Sequence, residues 1–165
     1  MSGITGSIAA IMASISVSGT VCAALIATLS ISAPLLAQST AAATGEVDIS
    51  ITGLRSTRGN VLICLTRNAA RYPDCRGDAG ARTVSVPASA PTTRVTGLAP
   101  GTWAIAVIHD ENGNGRIDTT LGIPREGVGS SRNAPLRMGP PRFADASFAV
   151  STGTVSQSIR MRYLL

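Results

Sequence analysis

The residues of this chain best suited to chemistry form one run, His109-Asp110-Glu111-Asn112-Gly113-Asn114-Gly115-Arg116-Ile117-Asp118. Oxygen-bearing side chains alternate there around two glycines. A calcium loop needs about six to eight oxygens on a backbone that curls tightly. Counted from Asp110, the residues Asp110, Asn112 and Asn114 take the first, third and fifth places. Gly115 takes the sixth, where such a loop turns sharply. Arg116 offers its carbonyl at the seventh, Ile117 can anchor the loop inward, and Asp118 stands at the ninth. The twelfth place is Leu121, where a bidentate Glu is expected. A remote carboxylate, Glu126 or Asp145, would have to complete the shell. With two Asp and two Asn the expected affinity is modest, about 10⁻⁴–10⁻³ M, with calcium as the only cofactor invited. The competing reading needs no metal: Asn-Gly pairs supply positive φ, and Asx side chains bond their own backbone.

His109 is the only histidine. Beside Asp110, and with Glu126, it invites a second reading, an envelope hydrolase built on these three residues. Such an enzyme also needs an oriented nucleophile. Ser130 and Ser131 show no nucleophile-elbow context. Arg125, Glu126, Arg132 and Asn133 share the long segment after the run. They could pair to fold it over the site or, with His109, line a groove for a polar ligand such as an envelope glycan.

The elements that must position these residues read as short strands. Glu46 to Leu54 alternates, with Val47, Ile49 and Ile51 on one face, and Gly53 closes it. Val61–Thr66 is apolar on both faces and is expected to be central. Arg82–Val86 and Thr92–Thr96 are short alternating runs. The turn Gly97–Thr102 feeds Trp103–His109, which carries Trp103, Ile105 and Val107 on one face. Phe143–Val150 and Val155–Tyr163 are the last two expected strands. Between them and the site, Asp110–Pro141 is rich in Gly, Pro, Asn and Arg and has no clear period; a loop of that length is usually functional or disordered. About seven strands and no amphipathic helix predict an all-β fold, a single antiparallel β-sandwich of immunoglobulin-like or prealbumin-like type with one long Gly/Pro-rich loop.

The first part of the chain differs from the rest. Between Met1 and Thr44 there is no Asp, Glu, Lys or Arg. Val21–Ala37 has the length of a signal-peptide core, with cleavage expected near Ala37 or Ala43. Residues 1–43 are therefore expected to be a signal segment and 44–165 the sandwich domain, exported to the periplasm or beyond. The basic n-region of a signal peptide is missing. A retained span is disfavoured by Thr28, Ser30, Ser32 and Pro34, which interrupt the apolar run. Cys64 and Cys75 remain in the expected mature part, and in an exported chain such a pair predicts a disulfide.

All 14 basic residues are arginines, and the net charge is +5. They are scattered, and aromatics are only 3%. Nucleic-acid binding, which wants clustered charge and stacking rings, is excluded on that pattern. Few aromatics also weaken a carbohydrate-binding module, the third reading.

Gly97-Leu98-Ala99-Pro100-Gly101-Thr102-Trp103 resembles the turn before a central strand in transthyretin-like and carboxypeptidase-regulatory-like sandwiches. A longer set of residues is similar to the family known as domain of unknown function 2141. It comprises His109–Gly115, Asp118-Thr119, Gly122–Gly127, Gly129, Ser131, Asn133-Ala134, Gly139–Pro141, Phe143 and Ala146. That resemblance spans the expected mature chain. It implies a small exported bacterial sandwich domain of the cell envelope, with no established activity. The partner stays open, an envelope polysaccharide or protein being the expectation from the polar residues of the long loop.

Overall fold

The computed structural model describes residues 43–137 and 139–165. The expected signal segment lies outside them but for Ala43. Ten strands follow one another: β1 (Gly45–Thr52), β2 (Asn60–Thr66), β3 (Arg82–Pro87), β4 (Thr92–Leu98), β5 (Gly101–Asp110), β6 (Thr119–Thr120), β7 (Ile123–Pro124), β8 (Gly127–Ser130), β9 (Phe148–Val150) and β10 (Gly153–Arg160). One sheet has the order β10-β1-β4 and the other β3-β2-β5-β8, with β9 on the first residues of β5. β6 and β7 form a separate small hairpin.

Strand alternation builds the core. Val47, Ile49 and Ile51 of β1 face Val61, Ile63 and Leu65 of β2 and Trp103, Ile105 and Val107 of β5 in one buried cluster. Val95 and Leu98 of β4 and Ile159 of β10 complete it. Each such side chain, fully buried, contributes roughly 1.5–3 kcal/mol. β2 is central, as its two apolar faces predict: Cys64 pairs across to Thr83 on one side and Ala106 on the other.

Leu62 and Cys64 face outward. Cys64 is disulfide-bonded to Cys75, with Cα atoms 6.1 Å apart. The bond holds the segment between β2 and β3 against the outer face of its sheet. There the Tyr72 ring meets Phe143 edge-on, with centroids 5.8 Å apart. These rings cover a second small core of Ala104, Ala134 and Ala146. The Thr66 hydroxyl donates to Asp78 and accepts from the Asn68 amide, closing the same segment at its base.

Three expectations are corrected. The sheets are not wholly antiparallel, because β1 and β10 run parallel from Gly45↔Gly153 to Thr52↔Arg160. Phe143–Val150 is not one strand: after Pro140 and Pro141 the backbone turns once as a short helix, α1 (Phe143–Ala146), before β9. Asp110–Pro141 is not one open loop. It holds β6, β7 and β8, and β8 pairs with β5 at Val107↔Gly129 and Ile108↔Val128.

Candidate functional site

β5 delivers the site. Its inward face continues past Val107 to His109, which is wholly buried, and it ends at Asp110, which is 1% exposed. Across from it, Asn60 opens β2 and pairs with Asp110. Gly59 has φ +70, and a Cβ there would run into the Asp110 carbonyl oxygen and the Glu111 backbone. Only glycine allows this approach.

Beyond Asp110 the loop closes on its own side chains. Asp110 Oδ1 accepts the amides of Gly113 (2.8 Å) and Asn114 (3.0 Å), and Oδ2 accepts that of Gly115 (2.8 Å). Asn112 Oδ1 accepts the Asn114 amide, and Asn114 Oδ1 accepts that of Arg116. Gly113 and Gly115 take φ +74 and +75, the geometry the Asn-Gly pairs predict. Both side-chain amides turn to Asp118: Asn112 Nδ2 donates to Oδ2 (2.7 Å) and Asn114 Nδ2 to Oδ1 (3.0 Å). Ile117 is half-buried beneath them.

Glu126, 5% exposed, closes the loop from the far side. Its Oε1 accepts the Glu111 amide (3.1 Å) and its Oε2 the Asp118 amide (3.0 Å). The remote carboxylate therefore stands where the loop begins and ends. Asp145 sits on α1, away from these contacts.

The oxygens fit a hard cation in kind, since carboxylates, amide carbonyls and the Arg116 carbonyl are calcium ligands. The side-chain oxygens among them are committed to hydrogen bonds as they stand. Among the described residues no three carboxylate, imidazole or thiol groups converge in a cation-sized cluster. Asn112 and Asn114 would have to turn their amides away from Asp118 for its carboxylate to meet a cation.

His109 is used structurally. Its Nε2 lies 2.9 Å from the Arg58 carbonyl oxygen, which can only accept, so Nε2 carries the proton. Nδ1 then accepts from the Tyr163 hydroxyl at 2.7 Å. Burial pushes the Tyr163 phenol up; it pushes the Tyr72 phenol up to about 12. A carbon added at Gly127 would meet the Tyr163 ring at 2.6 Å, so this glycine makes room for the tyrosine.

One fastening had no local signal. Arg55 donates from Nε and Nη2 to Glu111 Oε2, from Nη2 to the Arg125 carbonyl and from Nη1 to the Leu165 carbonyl. Its guanidinium also lies 4.5 Å from the Tyr163 ring centroid. The arginine holds the Glu111 carboxyl below its ordinary range, and the Ser56 hydroxyl adds to this. The ion pair that fastens the loop is thus Arg55–Glu111. Glu126 does not pair with Arg125, one of the options its sequence offered, because it turns to the Glu111 and Asp118 amides.

The residues expected to line one groove separate. His109 and Arg125 stay at the loop. Arg132 and Asn133, with φ 57 and 50, lie along β10. The Asn133 amide donates to the Ser158 carbonyl and accepts the Arg160 amide, so it covers the free edge of that strand. Arg132 donates to Gln157 and the Ser147 carbonyl. A shallow depression of about 480 Å³ lies elsewhere, on the outer face of the first sheet, over Asp48, Ser50, Thr92, Arg94, Ser156 and Ser158.

A family model described as an uncharacterized protein conserved in bacteria, DUF2141, matches residues 49–158. The chain belongs to the DUF2141 family. No curated protein and no solved structure matches it. The matched span takes in the whole β3-β2-β5-β8 sheet and all of the other but Gly45–Asp48 of β1 and Ile159-Arg160 of β10, and with them the Asp110–Asp118 loop, Glu126 and Asn133. Tyr163 and Leu165, which the loop's fastenings also use, follow the matched span. Among the described residues no helix is long and apolar enough to cross a membrane.

Proposed function

We propose that this DUF2141 domain is a non-enzymatic, exported module of the bacterial cell envelope. Its Asp110–Asp118 loop is an ordered surface that binds or braces an envelope polysaccharide or protein. One observation carries the reading: His109, Asp110 and Glu126 are each 5% exposed or less and spend their polar atoms on the fold. A hydrolytic trio needs groups that can reach a substrate and exchange protons with it. Here the imidazole is held between a tyrosine and a backbone carbonyl, and the two carboxylates accept five backbone amides between them. The disulfide supports an oxidising compartment. A polar ligand is favoured over a stacked sugar, since none of the five aromatic side chains is exposed.

Calcium is the cofactor the loop would accept, held by Asp110, Asn112, Asn114, the Arg116 carbonyl, Asp118 and Glu126. It would supply charge neutralisation and stiffness. Thermal melting with calcium tests this. At ten times its dissociation constant, one ion adds about 1.4 kcal/mol, or about 4 °C for a domain of this size. Asp118→Asn should weaken the response. An unchanged melting temperature at millimolar calcium overturns the calcium reading. Turnover of envelope-type esters or amides that His109→Gln abolishes would overturn the non-enzymatic one.

A further inference from the structure

We propose that Asn112 and Asn114 are modification sites, each losing its side-chain amide as ammonia to become an aspartyl or isoaspartyl residue, and that Asp110 holds this reaction back while the loop is closed. Five asparagines occur in the chain, and only these two are followed by glycine, as Asn112-Gly113 and Asn114-Gly115. All four residues are exposed.

The chemistry needs only water. The glycine amide nitrogen bonds to the asparagine Cγ and gives up its proton to solvent. The Cγ–Nδ2 bond breaks, and Nδ2 leaves as ammonia with a proton from water. Water then opens the cyclic imide at either of its carbonyls. In sum, amide and water become acid and ammonia. Glycine is the neighbour that favours attack, because no Cβ obstructs the nitrogen or restricts its backbone.

The closed loop opposes each requirement. The Gly113 amide donates to Asp110 Oδ1 and the Gly115 amide to Oδ2, each at 2.8 Å. A carboxylate is far too weak a base to take an amide proton. It opposes the loss of that proton instead, since the negative nitrogen left behind would face its charge. Asp110 is itself buried, so the fold fixes its place. The carbons under attack are pinned as well. Asn112 holds Oδ1 on the Asn114 amide and Nδ2 on Asp118. Asn114 holds Oδ1 on the Arg116 amide and Nδ2 on the other oxygen of Asp118. Reaction therefore waits for the loop to open locally.

The product does not return to the closed form. With a carboxylate at position 112 or 114, Asp118 loses an amide donor and meets a second negative charge. The isoaspartyl product also lengthens the main chain inside a loop whose every peptide is placed. An opening of the loop is thus recorded chemically.

The proposal does not depend on a bound cation or on a ligand, so its test is run with a chelator present. The folded protein and a synthetic peptide of the sequence His109–Asp118 are held in mildly alkaline buffer, and conversion is read by mass spectrometry. The folded chain should convert at least about tenfold more slowly than the peptide. Asp110→Ala should restore most of the peptide's rate and Asp110→Asn part of it; where Asp110→Ala does not fold, Asp110→Asn decides. Replacing Cys64 and Cys75 together by serine weakens the domain away from the loop and should leave the rate unchanged. Asn114→Asp, which mimics the product, should speed amide exchange at Gly113 and Gly115 about tenfold. Conversion of the folded chain at the peptide's rate overturns the proposal. So does a cysteine variant that converts as fast as the Asp110 variants, because global unfolding and not Asp110 would then set the rate. Unchanged exchange in Asn114→Asp overturns the claim that the product cannot close again.

Discussion

Two loops flank the β2–β5 sheet, and they are held by opposite means. The segment from Asn68 to Gly80 is fastened covalently, by Cys64–Cys75, and lies flat on the outer face under Tyr72 and Phe143. The loop from Asp110 to Asp118 has no covalent tie. Two buried carboxylates, Asp110 and Glu126, hold it by accepting five backbone amides. The first arrangement restricts the unfolded chain. The second acts only in the folded state, because it consists of amides satisfied away from water. A covalent staple suits a segment that only has to cover a surface. A carboxylate scaffold sets the direction of each peptide group, which suits a segment whose geometry matters.

The contrast can be broken most forcefully at Asp110. Asp110→Ala leaves the Gly113 and Gly115 amides without an acceptor and the Asn114 amide to Asn112 alone, and the domain should lose about 2–3 kcal/mol in urea denaturation. A loss under about 1 kcal/mol would show that the loop is held from elsewhere. Next in size is the staple. Replacing Cys64 and Cys75 together by serine should cost about 2–3 kcal/mol. Amide exchange at Gly113 and Gly115 should then stay slow relative to global opening; fast exchange there would mean that the two loops share one support.

Acid sharpens the comparison with the smallest effect. Folded, the Glu111 carboxyl ionises below its ordinary value because Arg55 bonds its charged form. A lowered folded value means the unfolded chain takes up the proton first, so stability from this pair is complete above about pH 4.5 and is lost as pH falls through the folded value. Glu111→Gln should flatten the stability curve below that pH and leave its slope above it unchanged. An unaltered acid limb would show that Arg55–Glu111 does not fasten the loop.

The strands that carry the core were legible because burial imposes a period of two: Val47, Ile49 and Ile51, then Trp103, Ile105 and Val107, announce themselves. Their partners were not. Periodicity says which face is buried and nothing about the neighbour, so the parallel pairing of β1 with β10 left no trace. β8 was hidden for another reason. Gly127-Val128-Gly129-Ser130 has little strand propensity, and it is a strand because Ile108 and Arg162 pair with Val128 on either side. Phe143–Ala146 read as strand because its apolar residues are too few to separate the two periods. At the site, the Asx ladder from Asp110 to Arg116 was legible, since its partners lie within five residues. The use of Glu126 was only a possibility in the sequence. Arg55–Glu111 and His109–Tyr163 could not be read at all, because their partners are 56 and 54 residues apart.

The parallel pair has a consequence for how the chain becomes a domain. β1 lies at the start of the described sequence and β10 near its end, yet Ile51 and Ile159 sit side by side in the core. Pairings so distant along the chain close large loops, and such topologies fold slowly. Until residues 153–160 have been made, β1 has β4 on one edge and an open edge on the other. A chain whose residues 153–160 are not yet in place therefore holds an incomplete first sheet, whatever the rest of the domain has done. Closure of the first sheet is thus the step that joins the two most distant strands of the domain.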